Sequence, residues 1–121
     1  ADREALVVGV LDGTIGAIAT DHAPHTPAEK GRGLAGSLFG VSGFATAFAA
    51  SLRYLPLSVV LRAMIDAPAR ILGMGNVALR EGAKAQFQAL HTRPWTVEAE
   101  GRSTPFEGMT LVGGCEWTIE S

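Results

Sequence analysis

The hydrophobic pattern at the start of the chain predicts a helix followed by a short strand. Apolar residues recur at the spacing of a helix face, at Leu6, Val7, Val10 and Leu11. A helix is therefore predicted over residues 3–11, with Asp2 as its N-cap and Gly13 as its end. Residues 15–20 form an apolar run without polar alternation, which favours a strand buried on both faces, as in a parallel sheet.

Helical spacing returns after a long polar interval. Residues 21–40 are rich in glycine, proline and histidine and are predicted to form a long loop, a type of segment that often carries function. Helices are predicted over 42–54 and 58–66, and Pro56 stops the first of them. Residues 68–73 predict a short helix with proline near its start and glycine after its end.

Residues 76–121 have the pattern of a small β region. The stretch 85–89 alternates apolar and polar side chains with period two, as a half-buried strand does. Residues 110–112 and 115–119 predict two more strands, joined across Gly113-Gly114. The sequence therefore predicts an α/β protein that divides near residue 75.

Composition narrows the class of protein. The chain has 121 residues, of which 47% are hydrophobic and 18% charged, so it can build a core. Its net charge of −2 gives no electrostatic reason to bind nucleic acid or an anionic membrane. A single cysteine, Cys115, excludes an intrachain disulfide and favours a cytoplasmic location. The chain begins Ala-Asp-Arg-Glu, which indicates a fragment or a processed product.

The chemistry is concentrated where the predicted strand ends. Asp21, His22 and His25 follow it directly, and in α/β barrels the working residues lie where strands end and loops begin. A carboxylate and two imidazoles at such a position could bind a metal or move protons. On residue types, the alternative remains open that Asp21 caps a turn and the histidines lie at the surface.

Other candidate residues and motifs give weaker indications. His91 is predicted to be a surface residue, and Cys115 a packed thiol without a nucleophilic role. The glycine-rich stretches 31–33 and 40–43 match neither a phosphate-binding loop nor a dinucleotide fingerprint. Their glycines are predicted to allow close approach of the backbone to a ligand or a neighbouring helix.

A family resemblance covers nearly the whole chain. Residues 12–30, which contain Asp-His-Ala-Pro-His, closely resemble the last barrel strand and following loop of dihydroorotases, in the amidohydrolase superfamily. The resemblance continues in the family's order through residues 39–43, 68–73, 81–83 and 103–108. It departs at Ser37-Leu38, where the family often has Ala-Pro.

The resemblance implies a fold and a reaction. Residues 1–75 would be the last strand and helices of a (β/α)8 metal-dependent hydrolase barrel, and residues 76–121 a C-terminal β-sandwich segment. The reaction would be the reversible hydrolysis of dihydroorotate to N-carbamoyl-aspartate in pyrimidine biosynthesis. The cofactor would be one or two Zn²⁺ ions, bound mostly by residues outside this chain.

The resemblance also assigns roles to individual residues. Asp21 would contact the metal and act as general base and acid, and His25 would help to hold the substrate carboxylate. The backbone of Leu38, Phe39 and Gly40 would touch the dihydropyrimidine ring. His22 matches a motif position without a defined role.

A barrel of this type needs about 250 residues, so the chain is expected to require the N-terminal portion of the barrel. By itself it is expected to be inactive and poorly folded, and turnover by the isolated chain with added Zn²⁺ would contradict this. A homodimer or an assembly with aspartate transcarbamoylase are candidate partners. Three alternatives are a non-catalytic dihydroorotase-like subunit supporting that transcarbamoylase, a dihydropyrimidinase or allantoinase, and a truncated chain with a structural role.

Overall fold

The computed structural model describes residues 1–75, 79–98 and 103–120, and it contains short helices and two long strands. The helices are α1 (Asp2–Asp12), α2 (Pro27–Lys30), α3 (Gly33–Gly36), α4 (Ala47–Leu52), α5 (Leu57–Leu61), a π-helical turn (Arg62–Asp66) and α6 (Ala67–Ile71). The strands β1 (Gln86–Thr96) and β2 (Thr110–Glu120) pair in an antiparallel two-stranded sheet. The predicted mixture of α and β elements is confirmed.

The chain forms two compact units. The first unit comprises Ala1–Ala19, Ser51–His91 and Cys115–Ser121, and the second comprises Thr20–Ala50 and Thr92–Gly114. All the predicted site residues belong to the second unit. The division near residue 75 into a barrel part and a β-sandwich part stays a prediction.

In the first unit, α1 begins one residue earlier than predicted. The carbonyl oxygen of Ala1 accepts a hydrogen bond from the N–H of Ala5 at 3.0 Å, so Ala1 is the N-cap and Asp2 lies inside the helix. The prediction of Asp2 as the cap is therefore wrong, although its carboxylate still faces the positive end of the helix dipole. The predicted end is confirmed, because Gly13 adopts a left-handed conformation with φ 88°.

The predicted strand over residues 15–20 is not a strand in this structure. Its backbone N–H groups bond to helical segments: that of Ile15 donates to the carbonyl of Gly9 at 2.7 Å, and that of Ile18 to the carbonyl of Ala63 at 2.9 Å. An apolar run forms a strand when neighbouring strands satisfy its backbone groups. Within the described ranges, no strand lies beside this run.

The two helices predicted over 58–66 and 68–72 form one helical segment. A π-helical turn joins α5 to α6, and in this turn the N–H of Ala67 donates to the carbonyl of Arg62, five residues earlier. Pro68 follows directly and lacks the N–H that an uninterrupted α-helix would use. The segment buries its small residues and ends where predicted, before Gly73 with φ 67°.

In the described parts of the β region, residues 79–98 and 103–120, there are two strands where three were predicted. The alternation predicted for 85–89 is confirmed and extends along β1. The hairpin predicted at Gly113-Gly114 is wrong, because β2 runs through both glycines. Gly113 has φ 100°, and its carbonyl accepts a hydrogen bond from the indole Nε1–H of Trp95 at 2.7 Å. The glycine therefore allows a local irregularity within a paired strand.

Two side-chain predictions for the β region fail in part. Cys115 is exposed and not packed, and its Sγ contacts the carbonyl oxygen of Trp117 on the same strand at 3.6 Å. Alternation predicts which side chains share one face of a strand, but that face is buried only if another layer covers it. On this face the rings of Phe87 and Trp117 meet edge-on, with centroids 5.9 Å apart, and the thiol stays exposed. His91, predicted at the surface, is half-buried.

The second unit has a small apolar core. Ala49, Val97 and Leu111 are buried together, and Trp95 and Phe106 pack against them. Burying a valine or leucine side chain contributes about 1.5–3 kcal/mol, so this cluster fixes the end of β1 and the start of β2. None of the helices in the described ranges is long and apolar enough to span a membrane.

Candidate functional site

The candidate site is a loop whose two ends lie side by side. His22 forms a parallel bridge with Val41, and the N–H of Ala23 donates to the carbonyl of Val41 at 2.9 Å. We call residues 21–42 the site loop. The segment was predicted to be a long loop; it contains the one-turn helices α2 and α3.

A serine from the distant tail anchors the site loop. The hydroxyl oxygen of Ser103 accepts a hydrogen bond from the N–H of His25 at 3.1 Å, and its carbonyl accepts one from the N–H of Ser42 at 3.0 Å. The hydroxyls of Ser42 and Ser103 are 3.2 Å apart, and both serines are buried. Ser103 begins the stretch 103–108 that resembles the family, but the sequence predicts no place for it in the site.

His22 organises the segment that follows the site loop. Its Nδ1 accepts hydrogen bonds from the N–H groups of Gly43 at 3.0 Å and Phe44 at 3.2 Å, and its ring stacks on Phe44 with centroids 4.2 Å apart. Because Nδ1 is an acceptor, the ring hydrogen lies on Nε2. The helix predicted from residue 42 begins at Ala47, after a turn in which the Gly43 carbonyl accepts hydrogen bonds from the N–H groups of Thr46 at 3.2 Å and Ala47 at 2.9 Å.

His25 and the predicted ring-contacting backbone are brought together. The His25 Nε2–H donates to the carbonyl oxygen of Phe39 at 2.8 Å. Phe39 itself extends outward, with 90% of its side chain exposed, and Leu38 is also exposed. Four of the five predicted site residues, His25, Leu38, Phe39 and Gly40, therefore form one local cluster.

Lys30 belongs to the same cluster, and sequence reasoning missed it. Its Nζ donates to the carbonyl oxygens of Leu38, at 2.8 Å, and of Gly40. The carbonyl between them is that of Phe39, which accepts from His25. In the sequence, Lys30 is marked by its place at the end of residues 12–30, the stretch that most closely resembles the family.

Helix α2 begins with a capping box that the sequence pattern Thr26-Pro27-Ala28-Glu29 could have predicted. The Thr26 hydroxyl accepts from the N–H of Glu29 at 3.3 Å, and a Glu29 carboxylate oxygen accepts from the N–H of Thr26 at 2.8 Å. The backbone N–H and then the hydroxyl of Thr26 hold the pKa of Glu29 below its ordinary value of 4.5.

Replacing Thr26 with alanine should lower the melting temperature of the full-length protein most at neutral pH. The depressed pKa of Glu29 means that its contribution is present above about pH 4.5 and is lost as the pH falls through the folded-state value. The difference from wild type should therefore be constant above about pH 4.5 and shrink as the pH falls below it, measured by thermal unfolding. Thr92→Ala, at an exposed position of β1, is the control, and an equal, pH-independent effect of both changes would contradict the prediction.

Two glycines allow a close backbone approach, but the neighbour is the segment 20–23 and not the helix that was predicted; approach to a ligand stays a prediction. Gly40 has φ 104°, and a Cβ built there would lie 2.5 Å from the Cβ of Ala23. A Cβ at Gly43 would lie 3.0 Å from the carbonyl oxygen of Thr20. The neighbour in both cases is the start of the site loop, so these glycines keep its two ends in contact.

Asp21, the predicted catalytic and metal-binding residue, lies at the beginning of the site loop. Its side chain is exposed, and its backbone is in the left-handed region with φ 44°, which is uncommon for a residue other than glycine. Such conformations cluster at functional sites. Over residues 1–75, 79–98 and 103–120, no three acidic, histidine or cysteine side chains come together as a metal site would require. The residues in these ranges therefore do not form a complete metal centre by themselves.

Comparison with known proteins gives the chain a family context. None of the protein-family models matches it. Nearly the whole chain is, however, homologous to the C-terminal part of one group of curated enzymes. These are the dihydroorotases, so the resemblance stated from the motifs is confirmed.

Three of these relatives show the extent of the similarity. The chain is 39% identical to the dihydroorotase of Bacillus cytotoxicus over 99% of its own length and 33% of the relative. It is 39% identical to the dihydroorotase of Latilactobacillus sakei, over 98% of this chain and 31% of the relative. It is 41% identical to that of Geobacillus sp. strain WCH70, over 93% of this chain and 31% of the relative. The chain thus spans about a third of the length of the curated relatives that it matches.

Proposed function

We propose that the full-length protein containing this chain is a dihydroorotase, which opens the cyclic amide of dihydroorotate to N-carbamoyl-aspartate and catalyses the reverse reaction in pyrimidine biosynthesis. The observation that carries this proposal is the 38–41% identity with dihydroorotases over nearly the whole chain. The clustering of His25 with the backbone of residues 38–40 supports it, because both were assigned to substrate binding.

The proposed architecture is a (β/α)8 barrel with a small β-sandwich, to which this chain contributes the C-terminal part. Asp21 would be this chain's contribution to a centre of one or two Zn²⁺ ions, whose other ligands come from the N-terminal portion of the barrel. Bound zinc would activate water and polarise the carbonyl under attack. A cytoplasmic location, and a homodimer or an aspartate transcarbamoylase as partner, stay predictions.

The residues of this chain would bind the substrate and move a proton. The exposed Asp21 carboxylate would take a proton from the attacking water and return it to the departing amide nitrogen. His25 would hold the substrate carboxylate beside the backbone of Leu38, Phe39 and Gly40. Its hydrogen bond to the Phe39 carbonyl orients the imidazole relative to the backbone that meets the ring.

The proposal is tested by assaying the purified, zinc-loaded full-length protein with dihydroorotate, dihydrouracil and allantoin. We expect kcat/KM to be at least about 100-fold higher for dihydroorotate, because a site built for its carboxylate discriminates against analogues that lack it. A chelator should abolish turnover, and added Zn²⁺ should restore it.

The other outcomes correspond to the alternative functions. A preference for dihydrouracil or allantoin would show a related cyclic amidase. Absence of turnover, with and without aspartate transcarbamoylase, would favour a non-catalytic subunit, and binding to that transcarbamoylase would then be the property to measure.

A further inference from the structure

We propose that Lys30 is a positioning residue that holds the backbone of residues 38–40 in the conformation required to bind the substrate ring. The inference rests on the proposed function and extends it, because neither the motif comparison nor the predicted site assigns a role to Lys30. It derives from three hydrogen bonds to three consecutive carbonyl groups.

These three carbonyls are bound by two side chains. The Lys30 ammonium donates to the carbonyls of Leu38 and Gly40, and the His25 imidazole donates to that of Phe39. An ammonium has three rotatable donors and no acceptor, so it can bind two carbonyls at once. Lys30 and His25 both belong to the site loop. Their hydrogen bonds therefore fix the three carbonyl groups relative to the His25 side chain.

Two further hydrogen bonds hold Ser37 and Leu38, the residues at the start of this backbone segment. The N–H of Leu38 donates to the carbonyl of Glu29 at 3.3 Å, and the hydroxyl of Ser37 donates to the carbonyl of Lys30. Helix α2 therefore binds the segment 37–40 through its main chain as well as through the Lys30 side chain. Four hydrogen bonds connect the segment to α2, so it has little freedom to shift independently of this helix.

The orientation of the carbonyls has a consequence for the N–H groups. In a trans peptide the N–H points opposite to the C=O of the same peptide plane, and the structure contains no cis peptide among the residues it describes. The carbonyls of Leu38 and Phe39 are directed at Lys30 and His25, so the N–H groups of Phe39 and Gly40 point away from these side chains. Lys30 thereby presents backbone donors to a ligand on the opposite side.

The experiment compares Lys30→Met with Lys84→Met in the full-length protein. Lys30 and Lys84 are the two lysines of the chain, and Lys84 is exposed and lies outside the site loop. Methionine keeps an apolar side chain of similar length but removes the ammonium group. Lys30→Met should raise KM for dihydroorotate about tenfold and change kcat less than about threefold, because it loosens contacts made equally in the ground and transition states. Lys30→Arg, which keeps charge and donors, should recover part of the loss.

A second measurement separates positioning from general destabilisation. Amide hydrogen exchange at Leu38 and Ala23, whose N–H groups donate to the carbonyls of Glu29 and Val41, should accelerate in Lys30→Met and stay unchanged in Lys84→Met, with exchange in β1 unaffected in both. Unchanged KM together with unchanged exchange at Leu38 and Ala23 would overturn the inference, as would a fall in kcat at constant KM. If wild-type protein opens dihydroorotate and Lys30→Met matches it, this inference fails while the proposed function stands. If wild type has no turnover, both fail.

Discussion

Asp21→Asn in the full-length protein should reduce kcat for ring opening by about 10²–10⁴-fold, the range associated with losing a general acid–base residue. The amide has nearly the shape of the carboxylate, but it cannot take up the proton of the attacking water. Asparagine also tolerates the left-handed backbone of residue 21, with φ 44°, so the site loop should keep its conformation. Steady-state kinetics on zinc-loaded protein provide the measurement.

The matched control for this change is Asp66→Asn, at an exposed aspartate of the π-helical turn. It removes one carboxylate from the surface without touching the site loop, and kcat should stay within about twofold of wild type. The two variants should have equal melting temperatures. Activity of Asp21→Asn close to that of wild type would show that proton transfer is performed by another residue, and the role proposed for Asp21 would be lost.

Gly40→Ala should lower the free energy of unfolding by about 3 kcal/mol and raise KM for dihydroorotate. Part of the effect is conformational, because a φ of 104° is unfavourable by about 1–2 kcal/mol for residues with a Cβ. The larger part is steric, because the added Cβ would lie 2.5 Å from the Cβ of Ala23, and overpacking of this kind costs about 1–3 kcal/mol. Relief requires the ends of the site loop to separate, which would move the backbone that is proposed to contact the substrate ring.

Gly33→Ala separates the two contributions. Gly33 also has a positive φ, 74°, but a Cβ at this position would meet nothing within 4 Å. It should therefore lower the free energy of unfolding by only about 1 kcal/mol and leave KM unchanged. Urea unfolding of both variants in the full-length protein gives the comparison. Equal destabilisation by the two changes would show that the contact between Gly40 and Ala23 contributes nothing.

Features that depend on nearby residues were predictable from the sequence. Gly13 and Gly73 end helices because glycine accepts positive φ, and this preference is independent of the rest of the fold. The alternation along β1 is likewise local. The association of His25 with residues 38–40 came from the family motif, and no spacing rule would have brought them together.

Features that depend on distant partners were not predictable. Residues 15–20 have the composition of a buried strand, but Ile18 bonds to Ala63, on a helical segment more than forty residues away. The helix predicted from residue 42 begins at Ala47, and it follows a turn in which the N–H groups of Gly43 and Phe44 donate to the distant His22 ring. A local sequence pattern contains no information about such long-range hydrogen bonds.

The same reason explains why two site residues were missed. The contact of Lys30 with Gly40 spans ten residues, and that of Ser103 with His25 spans 78. No sequence pattern around Lys30 or Ser103 predicts that its side chain bonds to the backbone of a residue that far along the chain. Asp21 shows the opposite case, since its motif is distinctive while its proposed metal-binding partners lie outside this chain.

The attachment of the site loop to Ser103 implies an order of events during synthesis on the ribosome. Translation proceeds from the N-terminus, so residues 21–42 are made some sixty residues before the serine that anchors them. Until that serine emerges, the nascent loop lacks the acceptors for the N–H groups of His25 and Ser42. Completion of the site loop is therefore a late step of folding, and it follows translation of the tail.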